Sequence, residues 1–261
     1  MPGDDILVLR NLKKPYKSKY ARGECRHTNA MNVNLGYDFV TDMLVLEFRI
    51  DNKVINTKRN DNPWLDRAAQ SLAEAFRLAA SKRLDVEFTE LVTGYRLRPG
   101  TDISYVDIYL YDSLSSGAGY AVSISEVIAE LLTDIKQQLS ACDCETACSK
   151  CLKHYRNQYV HGMLDRFAAL QLLELGVEGK IAAPIPMDEQ KKVIQPLTNI
   201  LMQSGCRTDF DGGIIAFGQR GKKNVVVYPA IWAEPSADDI IFVSYFSVKD
   251  EELRQIMCAR Q

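Results

Sequence analysis

Four cysteines lie within ten residues of this chain, in the segment CDCETACSKC, and they constrain the fold more than any other feature of the sequence. Their spacing is C-x-C-x3-C-x2-C, which places two short pairs on one stretch of backbone. A tetrahedral zinc ion takes four soft ligands at about 2.3 Å, and two such pairs can supply all of them. The sequence therefore predicts a structural Zn²⁺ site whose ligands are Cys142, Cys144, Cys148 and Cys151.

Three other uses of these cysteines stay open on spacing alone. An iron–sulfur cluster also takes four thiolates. Disulfides are a second alternative, although 261 residues are enough to bury a core without them. A redox pair formed by Cys148 and Cys151 is a third, but it lacks the Trp-Cys-Gly-Pro context of thioredoxins.

Composition bears on the compartment and the partners. The formal net charge of -2 gives no bulk attraction to nucleic acid, so any such surface must be local. There is no apolar run of about 20 residues and no hydrophobic signal core near the N-terminus, so we expect a cytoplasmic protein without membrane contact. A reducing cytoplasm favours metal over disulfide for clustered cysteines.

Hydrophobic periodicity predicts an α/β domain over residues 37–176. A strand is expected at 37–50, a helix from Pro63, strands at 86–97 and 104–111, and a long apolar helix carrying residues 122–139 ahead of the cysteines. A second apolar helix, 163–175, follows them, and Gly176 is predicted to cap it. We expect a mixed sheet with flanking helices and a four-Cys zinc knuckle.

Two further regions flank that domain. A linker is predicted at 177–188, and then a smaller α/β subdomain at 189–261 with a helix near 189–203, strands near 213–217, 224–228 and 240–245, and a closing helix from Asp250. Residues 1–36 form a basic lead-in carrying Arg10, Lys13, Lys14, Lys17, Lys19, Arg22 and Arg26. It is either an arm that contacts phosphates or a solvent-exposed segment that belongs to a larger assembly.

Several motifs in this order resemble one known family. They are TDMLVLEF from Thr41, YDSLSSGAGYA from Tyr111, the CDCETACSKCL cluster, and YRNQYVHGMLDRFAALQLL from Tyr155. Together they resemble the domain of unknown function 1998, the zinc-binding domain of the mitomycin repair factor A type of superfamily 2 helicase. The family positions fall on the four cysteines and on Asp112, Gly117, Gly119, Tyr120, Tyr155, Asn157, His161, Leu164, Asp165 and Arg166.

The resemblance implies a helicase setting. In such helicases this domain follows two motor domains, yet the present sequence contains no G-x-x-x-x-G-K-[ST] phosphate loop. The resemblance therefore implies that this chain is not itself an enzyme. Its partner would be a helicase motor on another chain, or another defence or repair subunit. Relatives of this type in anti-phage systems such as DISARM imply phage defence, with DNA repair as the other setting.

Basic and aromatic residues alternate just after the cysteines. They are Lys150, Lys153, Tyr155, Arg156, Tyr159 and His161. Such a mixture suits DNA, and single-stranded DNA in particular, because cations hold phosphates and rings stack on bases. The alternative is that Tyr155, Tyr159 and His161 pack beneath the zinc turn and position its ligands. His161 as a replacement zinc ligand is disfavoured, since four thiolates complete the site.

Two acidic residues precede helices. Asp165 is expected to satisfy backbone donors at a helix start, and Arg166 to pair with a nearby acid. Asp112 with Gly117 and Gly119 resembles a phosphate cradle at a helix N-terminus, although glycines that only permit a tight turn explain the motif as well.

A magnesium-dependent nuclease is the enzymatic alternative. Strand carboxylates would have to converge on a metal, but the acid-x-Lys pairing of such sites is missing. The candidates are Asp42, Glu87, Glu90 and Asp112, and later Asp209, Asp211 and Glu234. The favoured hypothesis is a non-catalytic accessory module of a helicase complex that contacts DNA or the motor. A pure protein-interaction scaffold is the alternative.

Overall fold

The computed structural model describes residues 39–57, 63–198, 207–210, 212–218, 221–237 and 240–245. The predicted lead-in at 1–36 and the closing helix from Asp250 lie outside the described residues. All of the helices and strands described belong to one compact unit, residues 41–261.

Three antiparallel strands form the first sheet. They are β1 (Met43–Asp51), β2 (Leu91–Arg98) and β3 (Ile103–Asp112), in the order β1-β3-β2. Because side chains alternate between faces, the inner face of β3 presents Val106, Ile108 and Leu110, all fully buried. The strands predicted from sequence are thus present, with β2 starting later than expected.

Four helices cover the inner face of this sheet or flank it. They are α1 (Trp64–Leu84), α2 (Tyr120–Glu126), α3 (Ile128–Ser140) and α4 (Arg166–Glu178). Alanines on the buried face of α1, including Ala68, Ala69 and Ala73, let it pack closely against its neighbours. The prediction of one helix over 122–139 is wrong, because Val127 (φ -119°, ψ 26°) breaks it into α2 and α3.

The end of α4 also differs from the prediction. Gly176 lies inside the helix, where a Cβ atom would stand 2.0 Å from Cδ1 of Phe48, so glycine is required there for close packing on β1. The helix instead ends at Gly179, whose φ of 65° is left-handed. The predicted cap was therefore the right residue type at the wrong position.

The C-terminal region contains a second sheet. Helix α5 (Met187–Ile194) precedes strands β4 (Arg207–Asp209), β5 (Ile215–Gly218), β6 (Gly221–Tyr228) and β7 (Ile240–Ser244). The sheet is mixed, since β6 and β7 are parallel and the other pairs antiparallel. Buried Gln190 joins helix to sheet, because its Oε1 accepts from the backbone N–H of Val227 at 2.8 Å. Strand β4 was not predicted.

The α/β fold with flanking helices and a four-cysteine knuckle is confirmed, but the first sheet, which was expected to be mixed, is antiparallel in both of its strand pairs. The two sheets have separate apolar cores, although Ala230 and Ile231 belong to the core of the first sheet. The predicted domain boundaries at 176 and 189 stay predictions. Among the described residues, no helix combines the length and the apolar character needed to cross a membrane.

Candidate metal centre

The four cysteines form a compact turn between α3 and α4, here called the cysteine turn (residues 142–151). It contains no helix or strand. One main-chain carbonyl accepts the hydrogen bonds that close the turn: the N–H groups of Leu152 and Lys153 both donate to the Cys148 oxygen, at 3.0 and 2.9 Å. This arrangement is the knuckle expected for the C-x2-C half of the motif.

The sulfur atoms converge as metal ligands do. All four Sγ atoms lie within 4.8 Å of one another, and the nearest pairs, from Cys142–Cys144 to Cys148–Cys151, are 3.5 to 3.9 Å apart. A zinc–sulfur bond of about 2.3 Å gives a tetrahedron with edges of about 3.8 Å. The donor set therefore fits Zn²⁺, and these separations exceed the roughly 2.05 Å of a disulfide bond.

The protein assists ionisation of the cysteines unevenly. The backbone N–H of Lys150 donates to the Cys148 sulfur at 3.4 Å, and this contact lowers the pKa of the Cys148 thiol to about 7. Burial is the main cause that raises the pKa of the Cys144 thiol to about 12, and burial also raises the pKa of Cys151. A bound cation is what would hold all four as thiolates together.

A polar network beneath the turn connects it to α1. Asn157 is buried, and its Nδ2 donates to Glu74 Oε2 at 3.1 Å and to the Leu152 carbonyl at 2.9 Å. Glu74 Oε2 also lies 3.0 Å from Nε2 of His154. His161 Nε2 lies 2.8 Å from Asn157 Oδ1, so His161 supports this network and is not part of the sulfur cluster.

Two tyrosines project from the same segment into solvent. Residues Tyr155–Val160 form a 3₁₀ helix, and Tyr155 and Tyr159 are 86% and 84% exposed. The alternative in which both rings pack beneath the zinc turn is therefore wrong for the tyrosines, and His161 alone takes that place. Arg156 and Lys150 are exposed, and Lys153 is half-buried, so the predicted cations lie beside the exposed rings along the chain.

The start of α4 meets one prediction and contradicts another. Asp165 Oδ1 accepts from the backbone N–H groups of Phe167 and Ala168 at 2.9 and 3.2 Å, which confirms the helix cap. Arg166 was expected to pair with an acid. Its guanidinium instead donates to two main-chain carbonyls, those of Cys144 at 2.8 Å and Leu139 at 3.0 Å.

Asp112 occupies the cradle that was considered for phosphate. In the Asp112 turn (residues 112–121) its buried carboxylate accepts from the backbone N–H groups of Ala118, Tyr120 and Ala121 at 2.6, 3.1 and 3.0 Å. Gly117 and Gly119 have φ angles of 75° and 81°. The motif therefore builds a tight turn around an internal anion, and the predicted phosphate cradle is already filled.

Carboxylates do not converge at a metal site in the described part of the chain. There, the group able to hold a metal consists of the four cysteines, and the candidates Asp42, Glu87, Glu90 and Asp112 form no such group. Glu90 instead accepts a hydrogen bond from the Tyr120 hydroxyl. Asp209 and Glu234 form no such group either, and Asp211 lies outside the described residues.

Sequence reasoning missed Glu74 and Arg77. Glu74 is a buried acid within the apolar period of α1, and that position is itself a signal, because a buried charge needs a partner. Arg77 donates to the Phe88 carbonyl at 2.8 Å and lies over the Phe88 ring at 3.9 Å. Burial lowers the pKa of Arg77. The charge of Arg156 lowers this pKa as well, whereas Tyr159 raises it.

Comparison with known proteins agrees with the metal centre. Residues 68–152 match the family model described as the MrfA Zn-binding domain. The family resemblance and the zinc cofactor predicted from the sequence are both confirmed. The match ends at Leu152, so the 3₁₀ helix that carries the exposed tyrosines lies just beyond it.

The similar proteins are far longer than this chain. Druantia protein DruE of Escherichia coli (strain UMEA 4076-1) is 34% identical over 179 residues, which cover 66% of this chain and 10% of the relative. Two crystal structures of the DUF1998 helicase MrfA, one bound to DNA and one to DNA and AMPPNP, align at 18% and 15% identity with TM-scores of 0.35 and 0.33. They cover 46% and 49% of this chain, and 16% and 15% of theirs. The chain therefore spans about a tenth of the curated relative it matches.

Proposed function

We propose that this protein, which carries an MrfA-type Zn-binding domain in residues 68–152, is a non-catalytic accessory module of a superfamily 2 DNA helicase assembly. It contacts single-stranded DNA with the surface beside its metal centre, and the motor resides on another chain. Anti-phage defence is the favoured setting, with DNA repair as the other. The similarity to Druantia protein DruE and to helicase MrfA supports this proposal.

The observation that carries the proposal is the exposure of Tyr155 and Tyr159. Both side chains are more than four-fifths exposed, and exposed aromatic rings are the surface on which the bases of a single strand stack. Each base stacked on an aromatic ring contributes about 1–3 kcal/mol, largely independent of sequence. Two rings four residues apart on one short helix would hold bases of an unpaired strand.

Charge beside the rings supports the same reading. Lys150, Lys153 and Arg156 lie within seven positions of one another, whereas the chain as a whole has a net charge of -2. Three phosphate contacts to a single strand predict a slope of about -2 in a plot of log affinity against log salt. The basic surface is therefore local, as the sequence required.

The metal positions this surface. Zn²⁺ held by the four cysteines would supply folding free energy to the turn and no chemistry. His154 follows the turn, and its backbone N–H donates to Asn157 Oδ1 at 2.9 Å while its Nδ1 accepts from the Arg156 N–H at 3.2 Å. These bonds start the 3₁₀ helix, so the chain's own residues orient Tyr155 and Tyr159.

Single-strand binding tests the proposal. A fluorescein-labelled oligothymidine is titrated with the zinc-loaded protein at several salt concentrations, and anisotropy is recorded. We expect Tyr155→Ala/Tyr159→Ala to weaken binding at least about tenfold, since it removes two stacking rings. Met43→Ala/Val45→Ala is the control, because these exposed residues lie on β1. Equal affinities for both double variants would contradict the proposal.

The helicase partnership needs its own experiment. A superfamily 2 helicase from the same genome is co-expressed with this chain, and the complex is isolated through a tag on the helicase. Co-elution at a fixed stoichiometry, lost when the cysteine turn is disrupted by Cys148→Ser, is the expected result. Separate elution of two folded proteins would contradict the accessory role.

A protein-interaction scaffold without DNA contact is the second candidate, and the outer face of the first sheet favours it. Met43 and Val45 are 55% and 48% exposed there. Three charges on that face are paired with one another, because Asp107 accepts from both Arg96 and Arg98 at 2.8 Å. Absence of oligothymidine binding at low salt, with helicase co-elution intact, would favour this candidate.

The non-catalytic part of the proposal is tested by a nuclease assay. Purified protein is incubated with labelled single- and double-stranded DNA in Mg²⁺ or Mn²⁺. We expect intact DNA. Cleavage that disappears in both Asp42→Ala and Asp112→Ala would replace the accessory role with the nuclease alternative.

A further inference from the structure

Arg166 is a buried cation bonded only to main-chain carbonyls within the described residues. The residue is 7% exposed, and its Nε and Nη1 donate to the carbonyls of Cys144 and Leu139. In that part of the chain the ion pairs found involve other residues, and no carboxylate pairs with it. A buried charge without an opposite charge is strongly destabilising. The positive charge therefore requires another source of compensation.

The position of Arg166 on its helix increases this cost. It is the first residue of α4, directly after the cap Asp165, and the N-terminus of a helix carries partial positive charge. Asp165 already directs Oδ1 to the N–H groups of Phe167 and Ala168. The Phe167 ring, 3.8 Å from the guanidinium carbon, adds only a weak cation–π contribution.

The hydrogen bonds of Arg166 lead to the cysteine turn and to the end of α3 just before it. Its guanidinium holds the carbonyl of Cys144, itself a ligand, and that of Leu139, three residues before Cys142. Its backbone N–H donates to the Thr146 carbonyl at 2.7 Å, between the two cysteine pairs. Zn²⁺ bound by four thiolates leaves two negative charges uncompensated in a partly buried site. The guanidinium is therefore bonded to the main chain of one of the four ligands of this negatively charged centre.

We propose that Arg166 is the counter-charge of the metal centre and acts as a positioning residue for its ligands. The buried guanidinium stabilises the tetrathiolate–zinc form, and its contacts with the carbonyls of Leu139 and Cys144 hold the N-terminal end of the turn in the liganding geometry. Each of the two opposite charges thus makes burial of the other favourable. The inference depends on the zinc site and not on DNA binding or on a helicase partner.

The test measures metal affinity and coordination. Arg166→Gln removes the charge while keeping a polar side chain, and Arg166→Lys keeps the charge. Zn²⁺ affinity is measured by competition with a chromophoric chelator, and Co²⁺ is titrated to record the thiolate charge-transfer band. Arg83→Gln is the control, since Arg83 pairs with Asp134 on the surface at 2.6 Å.

We expect Arg166→Gln to weaken Zn²⁺ binding at least about tenfold and to shift or weaken the Co²⁺ band, while Arg83→Gln changes neither. Arg166→Lys should stay within about threefold of the natural chain. If Arg166→Gln does not fold, Arg166→Lys decides alone. A loss of tenfold in Arg166→Lys, or an unchanged affinity in folded Arg166→Gln, would overturn the counter-charge role.

Discussion

The Asp112 turn and the cysteine turn both contain irregular backbone with buried polar groups, and they stabilise it with charges of opposite sign. Each joins regular elements through a stretch of irregular backbone that must bury polar groups. In the Asp112 turn one carboxylate satisfies three backbone N–H groups. In the cysteine turn the protein provides four sulfur ligands, and a metal cation is what completes them.

The difference shows which part of the domain depends on a ligand. The Asp112 turn is complete within the chain, because its anion and its donors are covalently present. The cysteine turn brings together thiols of very different acidity, with the pKa of Cys148 near 7 and that of Cys144 near 12. The exposed tyrosines follow the second turn, so the proposed DNA surface depends on metal, whereas the start of α2 does not.

Removal of a metal ligand should have the largest effect. Cys148→Ser is expected to lose stoichiometric zinc and at least about 5 kcal/mol of the unfolding free energy, since structural zinc supplies about 10–16 kcal/mol in small zinc-finger peptides. Elemental analysis and thermal unfolding measure both. Ser149→Ala is the control at the adjacent exposed position. A zinc-free Cys148→Ser variant that melts like the natural chain would show that the turn needs no metal.

Removal of the internal anion should rank second. Asp112→Ala leaves three N–H groups without their acceptor and should cost about 3 kcal/mol in urea unfolding. Asp112→Asn, which keeps one acceptor oxygen, should cost about half of that. Zinc content should be unchanged in both variants. Loss of zinc on either substitution would contradict the prediction, because it would show that the cysteine turn depends on the Asp112 turn.

The glycines of the Asp112 turn offer a matched pair with a smaller effect. A Cβ on Gly117 would lie 2.4 Å from Asp42 Oδ2, whereas a Cβ on Gly119 would meet nothing within 4 Å. Both have positive φ, which costs an alanine roughly 1–2 kcal/mol. Gly117→Ala should therefore lose about 2 kcal/mol and Gly119→Ala about 1 kcal/mol, as measured by urea unfolding. Equal losses would mean that backbone conformation alone determines the requirement for glycine.

Asp107 should give an effect as small as that of Gly119, and the effect depends on pH. Hydrogen bonds from Arg98, and then from Arg96, hold the pKa of its carboxyl below the ordinary value. A carboxylate with a depressed pKa stabilises the fold above its unfolded pKa of about 3.9, and this contribution is lost as pH falls through the folded value.

Asp107→Asn should accordingly cost about 1 kcal/mol at pH 7 and much less at pH 3, in urea unfolding at both pH values. Asp102→Asn is the control, because that carboxylate is 73% exposed and lies 3.6 Å from Lys53. A cost of Asp107→Asn that is equal at both pH values would show that the carboxylate charge contributes nothing.

Local pattern was enough to predict most helices and strands around the first sheet. Alternating apolar residues predicted β1 and β3, and the 3.6-residue period after Pro63 predicted α1. Periodicity could not predict the break at Val127, because residues on both sides continue the same apolar pattern. Nor could it separate Gly176 from Gly179, since the first is required by Phe48 on a strand more than a hundred residues earlier.

The zinc site was predictable and its surroundings were not. Four cysteines close together in sequence are close together in space in any compact turn, so the spacing already implied the ligands. Glu74 reaches His154 and Asn157 across about eighty residues. Contacts at that separation arise only when α1 packs beneath the turn.

The sequence by itself determined the four cysteine ligands, most helices and strands around the first sheet and the resemblance to the zinc-binding domain, because each depends on residues adjacent in the chain or repeated at a fixed period. The tertiary structure decided which side chains of the same segments are buried. It exposed Tyr155 and Tyr159 while burying Asn157 between them, and it placed Arg166 against carbonyls of the cysteine turn. Burial and long-range charge pairing depend on how the helices pack against each other, and that packing is a property of the whole chain.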